Sequence, residues 1–569
     1  MKASFNPSDS QTGPAGQRAH SQHLQHSERL REALYEVTDK AWSYVGNGLS
    51  NQSFIEGPEG LIAIDTGESI EEMQKAIEVI RTKTRAPIVA CIYTHFHYVS
   101  GTKAIIEEAG LSDLPIYGHT GIAANLERFG GEVGPRGSRG MVHQFGISMP
   151  DEGADGLVNI GLGRFFRNPD HAPFSPGYLP ATVTFDAPLK TRIAGLEVEF
   201  YPAPSDATDS VSIWFPELDI AVNNLLWPAF FNIFAIRGEE YRDPRILLRG
   251  LDQLLGFNAE HQIAAHGPPV SGRSLVSATI SRYRDAIQFV FDQTVRGANR
   301  GLSLDELIAE VSLPELFDSD FHTQQLYGLV EHHIRQVYTG LFGWFDEDES
   351  KLFPTPQPEK AAKMIVAFGG IDASRQLCDQ ALKDKDYRWS IEVASQLVKS
   401  QVNAPEEDRL RLAAGLRGVA YSTPSANARN WCLTRALELE GQLDLSRFRV
   451  HRFRERDILN SRAGRWVGVL KVLLDPKRAA GKSGSLGFEF SDGSSAGLII
   501  RNQVAVPCEL DQCDRVIKAD HAAWAKLLGG KMNLSEFLET SEGLTVEGKS
   551  VASELLACFD LPGFQLEQL

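Results

Sequence analysis

The segment Thr94-His95-Phe96-His97-Tyr98-Val99-Ser100-Gly101 sets two imidazoles two residues apart, directly after the almost wholly apolar run from Pro87 to Tyr93. A loop rather than a helix carries the pair, so both rings can turn toward one ion. Alone, the pattern is also what two histidines hydrogen-bonded to backbone would give. Three other acidic or imidazole side chains strengthen the metal reading. Asp65-Thr66-Gly67 ends one apolar strand, His266 ends another, and Asp206 follows a strand that closes at Tyr201. Layered α/β proteins build their sites at such strand ends and adjoining loops. His95, His97 and Asp206 are therefore the candidate metal ligands and catalytic residues, with His266 as a further ligand or nearby donor. Two imidazoles and a carboxylate with open positions suit a catalytic zinc ion that activates water. The same set suits a mononuclear iron oxygenase, or a site kept for binding alone. Asp209 is a spare carboxylate close to Asp206 in the chain.

The elements that must position these residues can be read from periodicity. Short strands are expected at Ala41–Val45, Ser53–Ile55 and Gly60–Asp65, then a helix over about 69–84, then the buried strand 87–93. Strand, helix and strand in alternation imply α/β layering. Residues 122–195 are rich in Gly and Pro and read as a long loop insertion. Strands follow at 195–201, 211–215, 219–222 and 262–265, with a helix over about 244–256 before the last. From about 274 to 437 the pattern is helical almost throughout. Beyond 450 it changes again: Val467–Leu474 reads as a strand, then 486–490 and 496–500 as a hairpin, then a helix at 522–528. Residues 1–34, polar at the outset and holding His20, His23 and His26, read as a flexible arm.

The charge balance excludes some partners. There are 57 basic and 74 acidic residues, a net charge of −17, whereas a general nucleic-acid binder needs a basic face. No apolar run is long enough for a membrane span, and the opening residues lack a signal-peptide core, so a cytoplasmic location is expected. The six cysteines are scattered and read as reduced, mostly buried thiols.

The histidine loop resembles the metallo-β-lactamase signature H-x-H-x-D-H. Several other stretches resemble alkylsulfatases of the linear-alkyl-sulfate type: 136–163, the run Asn232-Ile-Phe-Ala-Ile-Arg-Gly-Glu-Glu-Tyr-Arg-Asp243, and Tyr283 to Arg296. Leu341-Phe-Gly-Trp-Phe-Asp346 and Asp386-Tyr-Arg-Trp389 resemble that family's helical dimerisation domain. Leu474-Asp-Pro476 and Cys558-Phe-Asp560 resemble a sterol-carrier-like domain. The resemblance implies an α/β fold: an αββα sandwich over 35–273, an all-α dimerisation domain over 274–440, and an α+β sterol-carrier-like domain over 441–569. It implies a homodimer that hydrolyses a small anionic, sulfate-like ester of a hydrophobic molecule. Arg237 would grip the anion, with Tyr98 and Asn224 beside the substrate.

The metal motif departs from the family's. Members hold two zinc ions. His95, His97 and Asp206 map onto the first site, where the family usually has Glu at the last position. For the second, Val99 stands in place of the motif's Asp and Ser100 in place of its last His; only His266 remains. Asn224 stands where a bridging Glu is expected. Valine has no donor atom, and an amide removes the charge that would hold two dications together. The expectation is one divalent ion per chain, zinc or iron.

Overall fold

The computed structural model describes residues 4–564. They divide into two compact units, one of 1–126 with 137–445, the other of 127–136 with 446–569.

The first unit is built on two sheets. The seven-stranded sheet runs in the order Ala33–Thr38, Ala41–Val45, Gln52–Gly57, Gly60–Ile64, Ile88–Ile92, Ile116–His119, Val183–Phe185. The six-stranded sheet runs Leu189–Ile193, Leu196–Pro202, Val211–Phe215, Ile220–Asn223, His261–Ala264, Val270–Ser271. Ile62, Ile64, Ala90 and Ile92 from one sheet meet Val198, Phe200, Ile213, Val222 and Ile263 from the other in a single dry cluster. Helices Ile70–Ile80 and Thr102–Ala109 pack together beside the first sheet. Pro244–Phe257 and the long Arg273–Asn299 do so beside the second. This is the expected αββα sandwich. Four strand pairs inside it are parallel, and two of them matter for the site: Gly60–Ile64 with Ile88–Ile92, and Ile220–Asn223 with His261–Ala264. Their carboxyl ends carry Asp65, His95, Asn224 and His266, so the sheets bring distant residues to one edge.

Beyond the sandwich the chain is helical, including Val330–Phe342, Ile371–Lys383, Tyr387–Lys399, Glu406–Ala420 and Ala426–Leu439. The second unit is an α+β layer: a sheet ordered Val504–Cys508, Ser495–Arg501, Gly484–Phe490, Val516–Ala519, covered by helices such as His521–Leu528 and Val546–Leu556. No helix among the described residues is long and apolar enough to cross a membrane. All six cysteines are free thiols.

Three sequence expectations need correction. The expected arm, 1–34, is not loose over its described residues: Ser10–Thr12 pairs with Arg18–His20, and Ser21–Arg29 is a helix whose His23 and His26 are fully buried. His23 Nε2 meets Asn159 Oδ1 at 3.0 Å and His26 Nε2 the Gly161 carbonyl at 2.7 Å. The segment 122–195 is not one loop, for it carries helices Ile122–Gly130 and Gly134–Gln144. Val467–Leu474 is not a strand. It is spanned by the helix Ala463–Val469 and a 3-10 turn, Leu470–Leu473. Trp466, Val467, Leu470 and Leu473 recur at helical spacing and all enter the core of this unit, so tertiary burial overrides the strand preference of the valines.

Candidate metal centre

His95 lies three residues past the end of strand Ile88–Ile92, at the start of the 3-10 turn Phe96–Tyr98, and its ring is wholly buried. A relay fixes its orientation. Asp65 accepts from the Thr94 amide at 2.8 Å and from the Thr94 hydroxyl at 2.6 Å. The Thr94 hydroxyl, its proton thus committed, can only accept from His95 Nδ1, 2.9 Å away. Nδ1 therefore carries the ring proton, and Nε2 presents a lone pair. That Nε2 has no hydrogen-bond partner although it is buried, a state that costs free energy unless something else binds there. Asp65 holds its place in a left-handed backbone conformation, φ 56°. Burial pushes its carboxyl up to about 7 against the lowering effect of both Thr94 bonds. Gly101 closes the loop where a side chain would run into the Thr66 carbonyl.

His97 follows in a short 3-10 turn, Phe96–Tyr98. Its Nδ1 lies 3.3 Å from one Asp206 oxygen, and His95 Nε2 lies 3.9 Å from the other. One ligand atom from each of His95, His97 and Asp206 falls within 4.8 Å of the other two. It is the one grouping of this kind among the described residues. Burial pushes the His95 imidazole down to about 3, and its carboxylate neighbour Asp206 does not restore it. Burial alone would raise Asp206, but His95 and His97 outweigh that and hold it well below the usual carboxylate range. The triad is thus a neutral imidazole with an open nitrogen, a second imidazole and an ionised carboxylate. These are borderline and hard donors that fit a divalent ion of the zinc or iron type.

The other half of the expected site is closed. Asn224 donates to Asp206 at 2.6 Å and to Ser205 Oγ at 3.1 Å, while its own oxygen accepts from the Trp227 indole at 3.1 Å. The indole fixes which end of the amide faces Asp206, so a donor and not an acceptor points at the site. His266 is not among the converging ligands. Its Nδ1 bonds the Leu49 carbonyl at 3.0 Å and its Nε2 faces the Tyr98 hydroxyl at 3.3 Å. Val99 is fully buried. These residues do not fit a second cation. Asp209 is buried and accepts from Asn125 at 2.7 Å, outside the ligand group.

Two guanidiniums are buried near the triad. Arg237 is not a surface residue: it is 6% exposed, its Nε donates to Glu239 at 2.9 Å and its Nη1 to the Tyr327 hydroxyl at 3.4 Å. Arg242, which the sequence reading did not single out, is 4% exposed and donates one Nη1 bond, to the Asn232 carbonyl at 2.7 Å. Its Nε and second Nη have no partner. Burial lowers its pKa, and Asp206 is the first of the groups that oppose this. Its sequence signal was its place in the Asn232–Asp243 stretch, five residues past the expected anion-gripping arginine.

Residues 303–442 match the family described as alkyl sulfatase dimerisation. A linear primary-alkylsulfatase from a Pseudomonas strain is 33% identical over 79% of this chain and 87% of its own length. The alkyl/aryl-sulfatase BDS1 of Saccharomyces cerevisiae is 26% identical over 93% of this chain and 82% of its own. Among solved structures, the stereoselective inverting sec-alkylsulfatase Pisa1 from Pseudomonas sp. superposes with a TM-score of 0.83 at 24% identity, covering 95% of this chain and 87% of that one. The curated relatives are hydrolases, and none of those reported supports an iron oxygenase or a non-catalytic binding protein. With its αββα sandwich, its triad and these relatives, the chain belongs to the alkylsulfatase family of metal-dependent hydrolases.

Proposed function

We propose that this enzyme cleaves a sulfate-like ester of a hydrophobic alcohol at a single divalent ion, zinc or iron, held by His95, His97 and Asp206. The observation that carries the reading is the buried, partnerless Nε2 of His95 converging with His97 and Asp206, beside buried guanidinium nitrogens of Arg242 that also have no partner. Bound there, an ion of this kind lowers the pKa of water and polarises an ester oxygen. The protein's own part is positional. Thr94 and Asp65 fix the His95 tautomer, and Asn224 steers Asp206. Arg242 offers an open edge to an anionic head group, and paired N–H donors of this type match sulfate. Arg237, already engaged by Glu239, buttresses that pocket and gives the anion a second positive charge. The relatives' names supply the substrate class, primary or secondary alkyl sulfates.

The test is hydrolysis of dodecyl sulfate and of a secondary octyl sulfate by zinc- or iron-loaded protein, with sulfate release measured. Expected is slow, metal-dependent turnover, slower than a two-ion site would give because one ion alone must stabilise the leaving group. Arg242→Ala should lower kcat/KM by about 100-fold, the scale of losing a charged hydrogen-bond partner in a dry site. Turnover indifferent to metal removal would sink the reading.

We also propose a homodimer through 303–442, supported by the apolar residues this stretch leaves in water, among them Trp344, Phe353 and Val366. Light scattering at micromolar concentration checks it, and a monomer mass refutes it. The likeness of the second unit to sterol carriers is likewise a proposal, in which that unit would receive an alkyl tail.

A further inference from the structure

The Tyr98 ring stands among three imidazoles. Its centroid is 5.0 Å from that of His95, 5.9 Å from His97 and 5.4 Å from His266, and it meets His95 and His266 edge-on. It is 4% exposed. His266 Nδ1 bonds the Leu49 carbonyl, which makes Nδ1 the protonated nitrogen and leaves the Nε2 lone pair to accept from the Tyr98 hydroxyl. The nitrogen of His266 that could bind an ion is thus committed to the same tyrosine whose ring meets His95 edge-on.

We propose that Tyr98 is a wedge that keeps His266 off the ion and so preserves an open coordination position on a site that would otherwise close. The inference rests on the single-ion reading above. Two imidazoles and a carboxylate with a fourth position open make a catalytic zinc site, whereas four protein ligands make a structural one that holds its ion more tightly and leaves no room for substrate. One phenol ring touches both imidazoles, its centroid 5.0 Å from that of His95 and 5.4 Å from that of His266. Removing the phenol removes both the obstacle and the hydrogen bond, and leaves a buried imidazole nitrogen without a partner, a state that favours capture by a neighbouring ion. Tyr98 acts through His266 rather than on the reacting atoms, so it is a positioning residue.

The test is zinc affinity of the full-length protein, measured by competition with a chromophoric chelator. Tyr98→Ala should bind zinc roughly tenfold or more tightly, within the span that residues surrounding metal ligands control, and should lose turnover. Tyr98→Ala combined with His266→Ala should return to the wild-type affinity. Tyr98→Phe keeps the ring and should bind zinc as the wild type does. His266→Ala alone, with the wedge in place, should leave affinity within about twofold, and this arm stands even if Tyr98→Ala fails to fold. Affinity lowered tenfold or more by His266→Ala would show that His266 already binds the ion and would overturn the wedge. So would a folded Tyr98→Ala protein with unchanged affinity, or a Tyr98→Phe protein that binds as tightly as Tyr98→Ala is expected to. Wild-type protein that takes up no ion would overturn the single-ion reading and the wedge with it. Wild-type binding with indifferent variants would overturn the wedge alone.

Discussion

Two groups of histidines in the first unit do different things. His23 and His26 lie in the N-terminal helix; His95, His97 and His266 lie at the strand ends. Burial lowers the pKa of His23 and His26 as it does those of His95 and His266. Both groups even contain ring nitrogens without a hydrogen-bond partner, Nδ1 of His23 and of His26, Nε2 of His95. What separates them is the company those nitrogens keep. His95 faces a second imidazole and an ionised carboxylate; no carboxylate joins His23 and His26 in a ligand group, and their Nε2 atoms are closed by an amide oxygen and a backbone carbonyl. An open buried nitrogen is therefore not a site by itself. Convergence with a carboxylate makes it one, because an ion then replaces several lost contacts at once.

The comparison breaks most sharply on metal content. His97→Ala should abolish stable metal binding, a loss of more than about 100-fold, since two donors rarely hold a divalent ion against water. His26→Gln should leave metal content at the wild-type level. Elemental analysis of the two purified proteins decides it, and a His97→Ala protein that keeps its full complement would place the site elsewhere.

The second group should show itself through pH. The folded value of His26 is about 4, burial being its first cause and only partly offset by the bond to Gly161; Arg29 and His322 add to the lowering. His23 is lowered in the same direction by burial and by Arg429, with Asn159 opposing. In the unfolded chain these imidazoles titrate near 6.5. Below that value the unfolded state binds the extra proton, so stability is full above about pH 6.5 and is lost as pH falls toward 4. For His26 alone the loss is about 3 kcal/mol. His95 and His266 lose stability in the same direction, so the measurement must isolate the helix. Thermal unfolding of metal-free protein between pH 7 and pH 5 should fall steeply, and His26→Gln should flatten the curve. An equal slope in the variant would mean that the helix does not sense this titration.

How much of this could be read from the chain follows the same division. The triad was legible because its residues sit at strand ends, and strand ends show in a sequence as apolar runs that stop. The N-terminal helix was not. Ser21-Gln-His-Leu-Gln-His-Ser-Glu-Arg29 looks solvated, and what buries it arrives from 136 and 135 residues away, at Asn159 and Gly161. Arg242 was hidden for a related reason: an arginine carries no sequence mark of being dry, and its unpartnered nitrogens exist only once the sandwich has closed over them. The wedge was half legible. Tyr98 stood beside the ligands in the sequence, but its bond to His266 joins residues 168 apart.

The smallest effect tests the support beneath His95 rather than the ligand itself. Thr94 bridges Asp65 and His95 Nδ1 through one hydroxyl, while its backbone amide bonds Asp65 separately. Thr94→Val removes the hydroxyl, keeps the shape and keeps the amide bond. Without an acceptor for Nδ1–H, the ring is free to turn or to move its proton to Nε2, and each such change removes the lone pair that faces Asp206. Zinc affinity should fall by roughly tenfold, the lower part of the range seen when a partner of a ligating histidine is lost. Thr94→Ser restores a hydroxyl on the same carbon and should recover most of that affinity. A purely structural role would instead lower the melting temperature of both metal-free and metal-loaded protein alike and leave the affinity where it was. Equal zinc affinity in Thr94→Val and wild type would mean that the buried backbone alone holds His95 in its metal-binding tautomer.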